Sequence, residues 1–123
     1  KQVIMKNKTP NKYGVIRLRA FETKIKWFVG DFNDFVKKYK LEKWELDDSY
    51  IGLTLVCDNF YIIYSNGKDN YNTIPHEAVH AVARMAEHRD ILFDGTNHEM
   101  IAYLVGYVSG EIFKGLNKQL WIG

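Results

Sequence analysis

A short run of residues in the second half of the chain has the types and spacing of a metal-dependent hydrolytic site. The run is His76-Glu77-Ala78-Val79-His80. Residues four apart on a helix project from one face, so the two imidazoles can bind one ion. Glu77 then lies beside them, where its carboxylate can accept a proton from a water molecule. The pattern therefore predicts two metal ligands and a general base.

A hydrolytic zinc ion takes three protein ligands and keeps its fourth position for water. Glu99 follows His80 after 18 residues and begins a second apolar stretch, from which it can supply the third ligand. His98 is the alternative, but adjacent helical residues point about 100° apart, so both cannot readily serve. We expect Glu99, because Tyr103 and Gly106 continue its helical face.

The residues around the motif are typical of a buried helix, expected from about Pro75 to His88. Thr73 is the expected N-cap, and proline suits a first helical turn. Five small apolar residues lie within and just after the motif, namely Ala78, Val79, Ala81, Val82 and Ala83. Polar side chains on a buried helix need partners, because their unpaired burial is costly. The alternative without metal is that the two histidines are hydrogen-bonded in the core or exposed.

The spacing of His76, Glu77, His80 and Glu99 resembles that of the gluzincin metallopeptidases, the group that includes thermolysin. The run from Glu99 to Tyr103 is similar to their glutamate-led second motif. Residues 103–107 also resemble small HExxH proteins carried by bacteriophages. The resemblance covers about residues 73–113. It implies a zinc metallopeptidase in which one Zn²⁺ is held by the two histidines and Glu99, while Glu77 is the base.

One position departs from the thermolysin-like pattern, in which an aspartate stands one turn after the metal-binding glutamate. Tyr103 stands there in this chain. Peptide hydrolysis develops an oxyanion that needs a hydrogen-bond donor. Tyr103 is the first candidate for that catalytic role, and Tyr107 and His98 follow. The other possibility is that Tyr103 supports a ligand histidine.

Two glycines extend the helical face that carries Glu99. Steps of four, three and four residues place Glu99, Tyr103, Gly106 and Gly110 in one narrow stripe. Each glycine costs a helix roughly 1 kcal/mol relative to alanine. We expect the glycines to let this helix approach the motif helix closely, as a shared metal requires. Relief of crowding in an ordinary core is the alternative.

Length and composition limit the class of protein. The 123 residues are expected to form a single domain, residues 1–123, and the 46% hydrophobic content is that of a globular chain. No apolar run approaches the roughly 20 residues of a membrane span, so we expect a cytoplasmic protein, in the host cytoplasm if phage-encoded. The net charge of +2 is too mild to favour nucleic acid as a partner.

The single cysteine, Cys57, excludes an internal disulfide within the sequence and fits a reducing compartment. It lies on the apolar face of an expected strand. We therefore expect a packing role rather than a nucleophilic one.

Periodicity predicts an α+β domain with a small antiparallel or mixed sheet of three or four strands, packed against helices in a zincin-like arrangement. The expected elements are strands at 15–21 and 24–29, a helix from an Asp31 cap to about residue 40, a hairpin of 51–57 and 60–65 turning at Asp58-Asn59, the motif helix, and a final helix at about 97–116.

The strand at 60–65 leads directly into the motif helix, so we expect an extended peptide or protein substrate to pair with it. Two other classes compete with this hypothesis. One is a phage-type binding or inhibitor protein that keeps zinc without turnover, and the other is a metal-free structural domain. A protease of the SprT type, with His98 as the third ligand, is the closer variant. Fold analogy does not separate peptidase from inhibitor.

Overall fold

The computed structural model describes residues 10–92 and 94–118. Strands come first and the long helices last. The elements are β1 (Lys12–Leu18), β2 (Thr23–Val29), α1 (Phe32–Tyr39), β3 (Gly52–Val56), β4 (Tyr61–Ser65), α2 (Asn70–His88) and α3 (His98–Lys118), with short 3-10 helices at Arg19–Phe21 and Glu42–Trp44. No helix in these two ranges is long and apolar enough to cross a membrane.

The four strands form one mixed sheet in the order β1-β2-β4-β3. β1 pairs antiparallel with β2, β2 pairs parallel with β4, and β3 pairs antiparallel with β4. The parallel pair arises because the chain crosses over one face of the sheet through α1 before it returns in the β3–β4 hairpin. The α+β class and the small mixed sheet are therefore confirmed.

Helices cover both faces of the sheet and create two hydrophobic layers. On one face, α1 contributes Phe35 to a layer that also contains Phe28 and Tyr64. On the other face, α2 and α3 pack over inward residues such as Trp27 and Ile63. Successive strand residues point to opposite faces, so each central strand feeds both layers.

The first helix begins where its sequence predicts. The Asp31 carboxylate accepts a hydrogen bond from the Asp34 amide at 3.0 Å, which caps α1. The helix ends at Lys40, which adopts a left-handed conformation with φ of 56°. The Phe35 side chain is fully buried against the sheet. The predicted cap and the predicted covering of one sheet face are both confirmed.

The predicted hairpin is also present, but its second strand does not lie at the edge. The Cys57 amide donates to the Phe60 carbonyl at 2.9 Å, so Asp58 and Asn59 form the turn. β4 then pairs on one side with β2 and on the other with β3. All five of its residues are buried, as in an interior strand. The expectation that a substrate pairs with residues 60–65 is therefore wrong, because that strand's main chain is already paired.

The motif helix begins earlier than predicted. Asp69 is its N-cap residue, and the Thr73 amide donates to the Asp69 carbonyl at 2.9 Å inside the helix. Thr73 is buried beside Gly52. Pro75 therefore lies in the second turn rather than the first, where it removes one main-chain donor. The prediction of a Thr73 cap is wrong, although the predicted end at His88 is confirmed.

The final helix turns an apolar stripe toward the core. Ile101, Leu104, Val108 and Ile112 are buried at steps of three, four and four residues. Glu99, Tyr103, Gly106 and Gly110 lie on the opposite, exposed face. A methyl group added at either glycine would meet no heavy atom within 4 Å. The predicted close approach through these glycines is wrong, because four branched side chains gain far more from burial than a glycine stripe does.

We expect Gly106→Ala to raise the free energy of unfolding by about 0.5 to 1 kcal/mol, because alanine loses less backbone entropy in an open helical position. Gly115→Ala in the same helix is the matched control. Its new methyl group would collide with the Trp27 ring, so we expect a loss of stability. Urea unfolding measures both variants. A loss of stability in Gly106→Ala would contradict this orientation of α3.

Candidate metal centre

His76 and His80 lie one turn apart on the outer face of α2. The opposite face of this helix carries buried residues such as Ala78 and Ala81, which pack into the core. Burial of that face leaves both imidazoles exposed. Their ring centroids are 4.8 Å apart, and their planes meet at 73°. The helix thus presents two histidine rings side by side to solvent.

The separation of the two ring nitrogens suits a tetrahedral ion. The Nε2 atoms of His76 and His80 are 3.2 Å apart. With zinc–nitrogen bonds of about 2.0 to 2.1 Å and tetrahedral angles, two ligand nitrogens lie about 3.3 to 3.4 Å apart. Imidazole nitrogen is also a preferred donor for zinc. The donor chemistry and the separation of the pair are therefore compatible with zinc, and the same 3.2 Å separation is also that of a hydrogen bond between the two rings.

Unlike the two exposed histidines, the Glu77 side chain is buried against the edge strand β3. Its exposed fraction is only 7%. The Thr54 hydroxyl donates to Glu77 Oε1 at 2.6 Å and lies 3.1 Å from the Glu77 carbonyl. The second carboxylate oxygen, Oε2, lies 4.0 Å from His76 Nε2. One oxygen is thus held by the sheet, and the other is directed toward the histidine pair.

Gly52 makes room for this carboxylate. A Cβ atom at this position would lie 3.0 Å from Glu77 Oε2 and would collide with the Thr73 side chain. Any larger residue would therefore push α2 away from β3 or displace the glutamate. Gly52 and Thr54 together form the part of β3 against which the Glu77 carboxylate packs.

Thr54 and Gly52 are site residues that the sequence motif does not indicate. Their alternation with Leu53 and Leu55 does show that they share one face of the strand. The local pattern does not show that this face meets α2. That contact joins Thr54 to Glu77, 23 residues later in the chain, and only the folded arrangement reveals it.

Glu99 and His98 are exposed in the first turn of α3. Across residues 10–92 and 94–118, no group of three or more His, Cys, Asp or Glu side chains is arranged to hold a metal ion, so His76, His80 and Glu77 do not form a complete site by themselves. The structure thus brings His76, His80 and Glu77 close to one another, and it does not bring Glu99 or His98 to them.

The packing of α3 on α2 explains this separation. Tyr71 near the start of α2 stacks on Phe113 near the end of α3, at 5.6 Å between ring centroids, so the two helices run antiparallel. At 1.5 Å per residue, Glu99 lies about 21 Å from Phe113 along α3, and His80 lies about 13.5 Å from Tyr71 along α2. Glu99 therefore lies further from this contact along its helix than His80 does along α2, and it faces solvent.

Tyr103 also lies on the solvent face of α3. Its exposed fraction is 71%, and its ring stacks on Tyr107 with 6.5 Å between centroids. The core-facing row of this helix begins with Ile101 and Leu104. The two tyrosines thus form an exposed aromatic pair on the side of α3 away from the core.

Cys57 packs beside the layer under α1, as expected from its strand position. Burial is the main cause of an increase in the pKa of its thiol, while nearby Lys26 opposes the increase and Asp58 adds to it. The thiol therefore stays protonated at neutral pH, which agrees with a packing role.

Comparisons with known proteins do not identify a relative of this chain. The chain has no significant match among protein-family models, curated proteins or solved structures. The features of this chain that point to a function are the geometry of His76, Glu77 and His80 and the sequence pattern that contains them.

Proposed function

We propose that the protein is a zinc-dependent metallopeptidase, with His76 and His80 as metal ligands and Glu77 as general base. The observation that carries the proposal is the 3.2 Å separation of the two Nε2 atoms beside a carboxylate that is anchored on its far side by Thr54. The zincin-like assignment of the fold is part of this proposal.

The chemistry divides among a few residues. Zinc, when bound, lowers the pKa of a coordinated water toward neutrality and polarises the scissile carbonyl group. Glu77 takes the proton from the attacking water and delivers it to the leaving amine. Thr54 keeps the Glu77 carboxylate oriented, because its hydroxyl occupies Oε1 and leaves Oε2 for the water. Tyr103 is the proposed donor to the oxyanion, a role that requires the exposed face of α3 to turn toward the histidine pair.

β3, rather than β4, is the strand that we propose for the substrate. Within residues 10–92 and 94–118, β3 lies at the edge of the sheet, with β4 as its one neighbouring strand, so the other side of its main chain can pair with an extended peptide. It also carries Thr54 against Glu77. A peptide paired with β3 would pass directly beside the candidate base and the two histidines.

Glu99 remains the proposed third ligand, with His98 as the alternative. No side chain before Ile101 is buried in the first turn of α3. That turn can therefore rearrange toward the pair at little cost in core packing. The 18-residue spacing from His80 supports Glu99, whereas the position of His98 one turn before Ile101, closer to the core-facing side, supports the alternative.

Two alanine variants decide between these ligands. We expect Glu99→Ala to weaken zinc binding by about 100-fold or more, because a tetrahedral site loses one of three protein donors. His98→Ala is the matched control, from the neighbouring exposed position, and should bind zinc as the parent does. Competition with a chromophoric chelator measures both affinities. The reverse result would assign His98 as the third ligand.

A zinc-binding protein without turnover is the second candidate function. The exposed position of Glu99, away from the histidine pair, is the observation that favours it. A zinc-loaded protein that cleaves no member of a diverse library of unfolded proteins and peptides, yet binds a folded partner tightly, would support this candidate. Cleavage that depends on Glu77 would support the peptidase.

A further inference from the structure

The sheet face beside α1 carries a concentration of positive charge that the overall charge of the chain conceals. On this face of β1 and β2, Arg17 lies directly opposite Lys24, and Lys26 lies opposite Val15. Lys38 of α1 is close by, with its ammonium group 3.7 Å from the centroid of the Tyr13 ring. α1 covers the part of the sheet around Phe28 and leaves these cations at the surface.

These cations have no acidic partners in the described part of the chain. Ion pairs there join His76 with Glu77, Arg84 with Glu87, and Lys114 with Glu111. Like charges directly opposite one another across two strands destabilise a sheet. The pair formed by Arg17 and Lys24 therefore costs stability in the isolated protein, and an anionic ligand would remove that cost.

Two depressions on this face have basic walls. One is a cavity of about 340 Å³ whose lining includes Lys26, Lys38, Lys40, Tyr39, Trp44 and Phe60. The other, beside it, is lined by Arg17, Arg19, Glu22, Thr23, Lys24 and Asn59. Glu22 in the second depression and Asp58 at the hairpin turn are the nearby carboxylates. We call the two depressions together the basic groove.

Aromatic rings alternate with the cations along the basic groove. Lys26 and Lys24 both lie over the Phe60 ring, at 4.4 Å and 6.0 Å from its centroid. These contacts hold the ammonium groups at the surface. Trp44 lines the cavity and is 45% exposed, so its ring is available for stacking.

We propose that the basic groove binds single-stranded nucleic acid without sequence specificity. Unpaired cations that follow a strand can contact successive phosphates, and an exposed ring can stack on any base. Lys24 and Lys26 lie two residues apart on one strand face, about 7 Å from each other, which suits an extended backbone. A lipid surface is the weaker alternative, since a flat bilayer does not enter depressions.

The net charge of the chain does not reveal this local concentration of positive charge. A net charge of +2 gave no reason to expect nucleic acid. The net charge adds the positive charges of the basic groove to the negative charges of acidic residues elsewhere, such as Asp47, Asp48 and Glu87. The groove lies on the sheet face opposite α2, so nucleic acid bound there would leave the histidine pair accessible.

Fluorescence anisotropy with a labelled 20-nucleotide oligothymidylate tests the proposal. Lys24→Gln combined with Lys26→Gln should weaken binding by at least about tenfold at low salt. The plot of log affinity against log salt should become shallower by about 1.4, because roughly 0.7 is lost for each single-strand phosphate contact removed. Trp44→Ala should weaken binding with little change in that slope, because stacking releases no counterions.

Arg84→Gln combined with Lys114→Gln is the matched control, because it removes the same charge from exposed positions outside the groove. It should retain affinity within about twofold, and Glu77→Gln should bind as the parent does, so this test is independent of the peptidase proposal. Equal losses in the two double variants would overturn the proposal. Tighter binding to polyglutamate, or to vesicles containing phosphatidylserine, than to the oligonucleotide would also overturn it.

Discussion

Glu77→Gln is expected to lower the rate of peptide hydrolysis by about 10²- to 10⁴-fold and to leave zinc bound. The amide cannot accept the proton of the attacking water, and this range is what a positioned general base commonly contributes. The metal should remain, because the proposed ligands are His76 and His80. Hydrolysis of a fluorogenic peptide identified as a substrate, together with zinc content, measures both effects.

The substitution is well suited to this site because it preserves the shape and the contacts of the side chain. Glutamine keeps an oxygen that can accept from the Thr54 hydroxyl, which is 2.6 Å from Glu77 Oε1 in the parent. Burial against β3 is also retained. We therefore expect unfolding in urea to change little, so lost activity would reflect lost chemistry. A variant that keeps both zinc and full activity would remove Glu77 from the mechanism.

Removal of zinc is expected to lower the melting temperature by on the order of 10 °C. A ligand held only by the folded state stabilises it by about 4 kcal/mol at 1,000 times its dissociation constant, and a chain of this size shifts by a few degrees for each kcal/mol. The imidazole pair exists only in the helix, so unfolding separates its two donors. Thermal unfolding at fixed free zinc, and again with excess chelator, measures the shift.

His76→Ala combined with His80→Ala is the control for this experiment. Both side chains are exposed on the outer face of α2, and alanine favours a helix, so the metal-free variant should melt close to the metal-free parent. Its melting temperature should then be independent of zinc. A zinc-dependent shift of equal size in this variant would place the metal elsewhere.

Much of the fold follows from local pattern. The cap of Asp31 and the turn at Asp58 and Asn59 each depend on residues within a few positions, so the sequence predicts them directly. The same holds for the motif helix, whose alternation of small apolar and polar residues has the helical period. These elements are confirmed because their determinants are local.

The order of the strands depends on contacts between residues that are far apart in the sequence. β4 is interior because β2 pairs with it in parallel, after a crossover through α1 and the intervening loop. The unbroken apolar run of Tyr61, Ile62 and Ile63 was a signal in the sequence for an interior strand. The hairpin pattern alone does not reveal which of its two strands meets β2.

The orientation of α3 is a second feature that could not be predicted from the sequence. Its sequence contains two stripes at helical spacing, one beginning at Glu99 and one at Ile101. The family resemblance favoured the first stripe as the contact face, whereas burial of branched side chains selects the second. The same choice explains why Tyr103 and Gly106 face solvent.

The residues that contact Glu77 could not be predicted from the sequence either. The spacing of His76, Glu77 and His80 predicts which side chains project together from one helix. It does not predict that Thr54 anchors the carboxylate or that Gly52 leaves room for it, because those contacts cross from the sheet to α2. The histidine pair itself was predictable, since residues four apart on a helix are neighbours by geometry.

Metal content provides the most direct test of the central claim that His76 and His80 hold zinc. Elemental analysis would be made on the parent protein and on the His76→Ala and His80→Ala double variant, each supplied with zinc and then dialysed. The account predicts about one zinc per chain in the parent and almost none in the variant. A parent without zinc, or a variant with as much zinc as the parent, would contradict it.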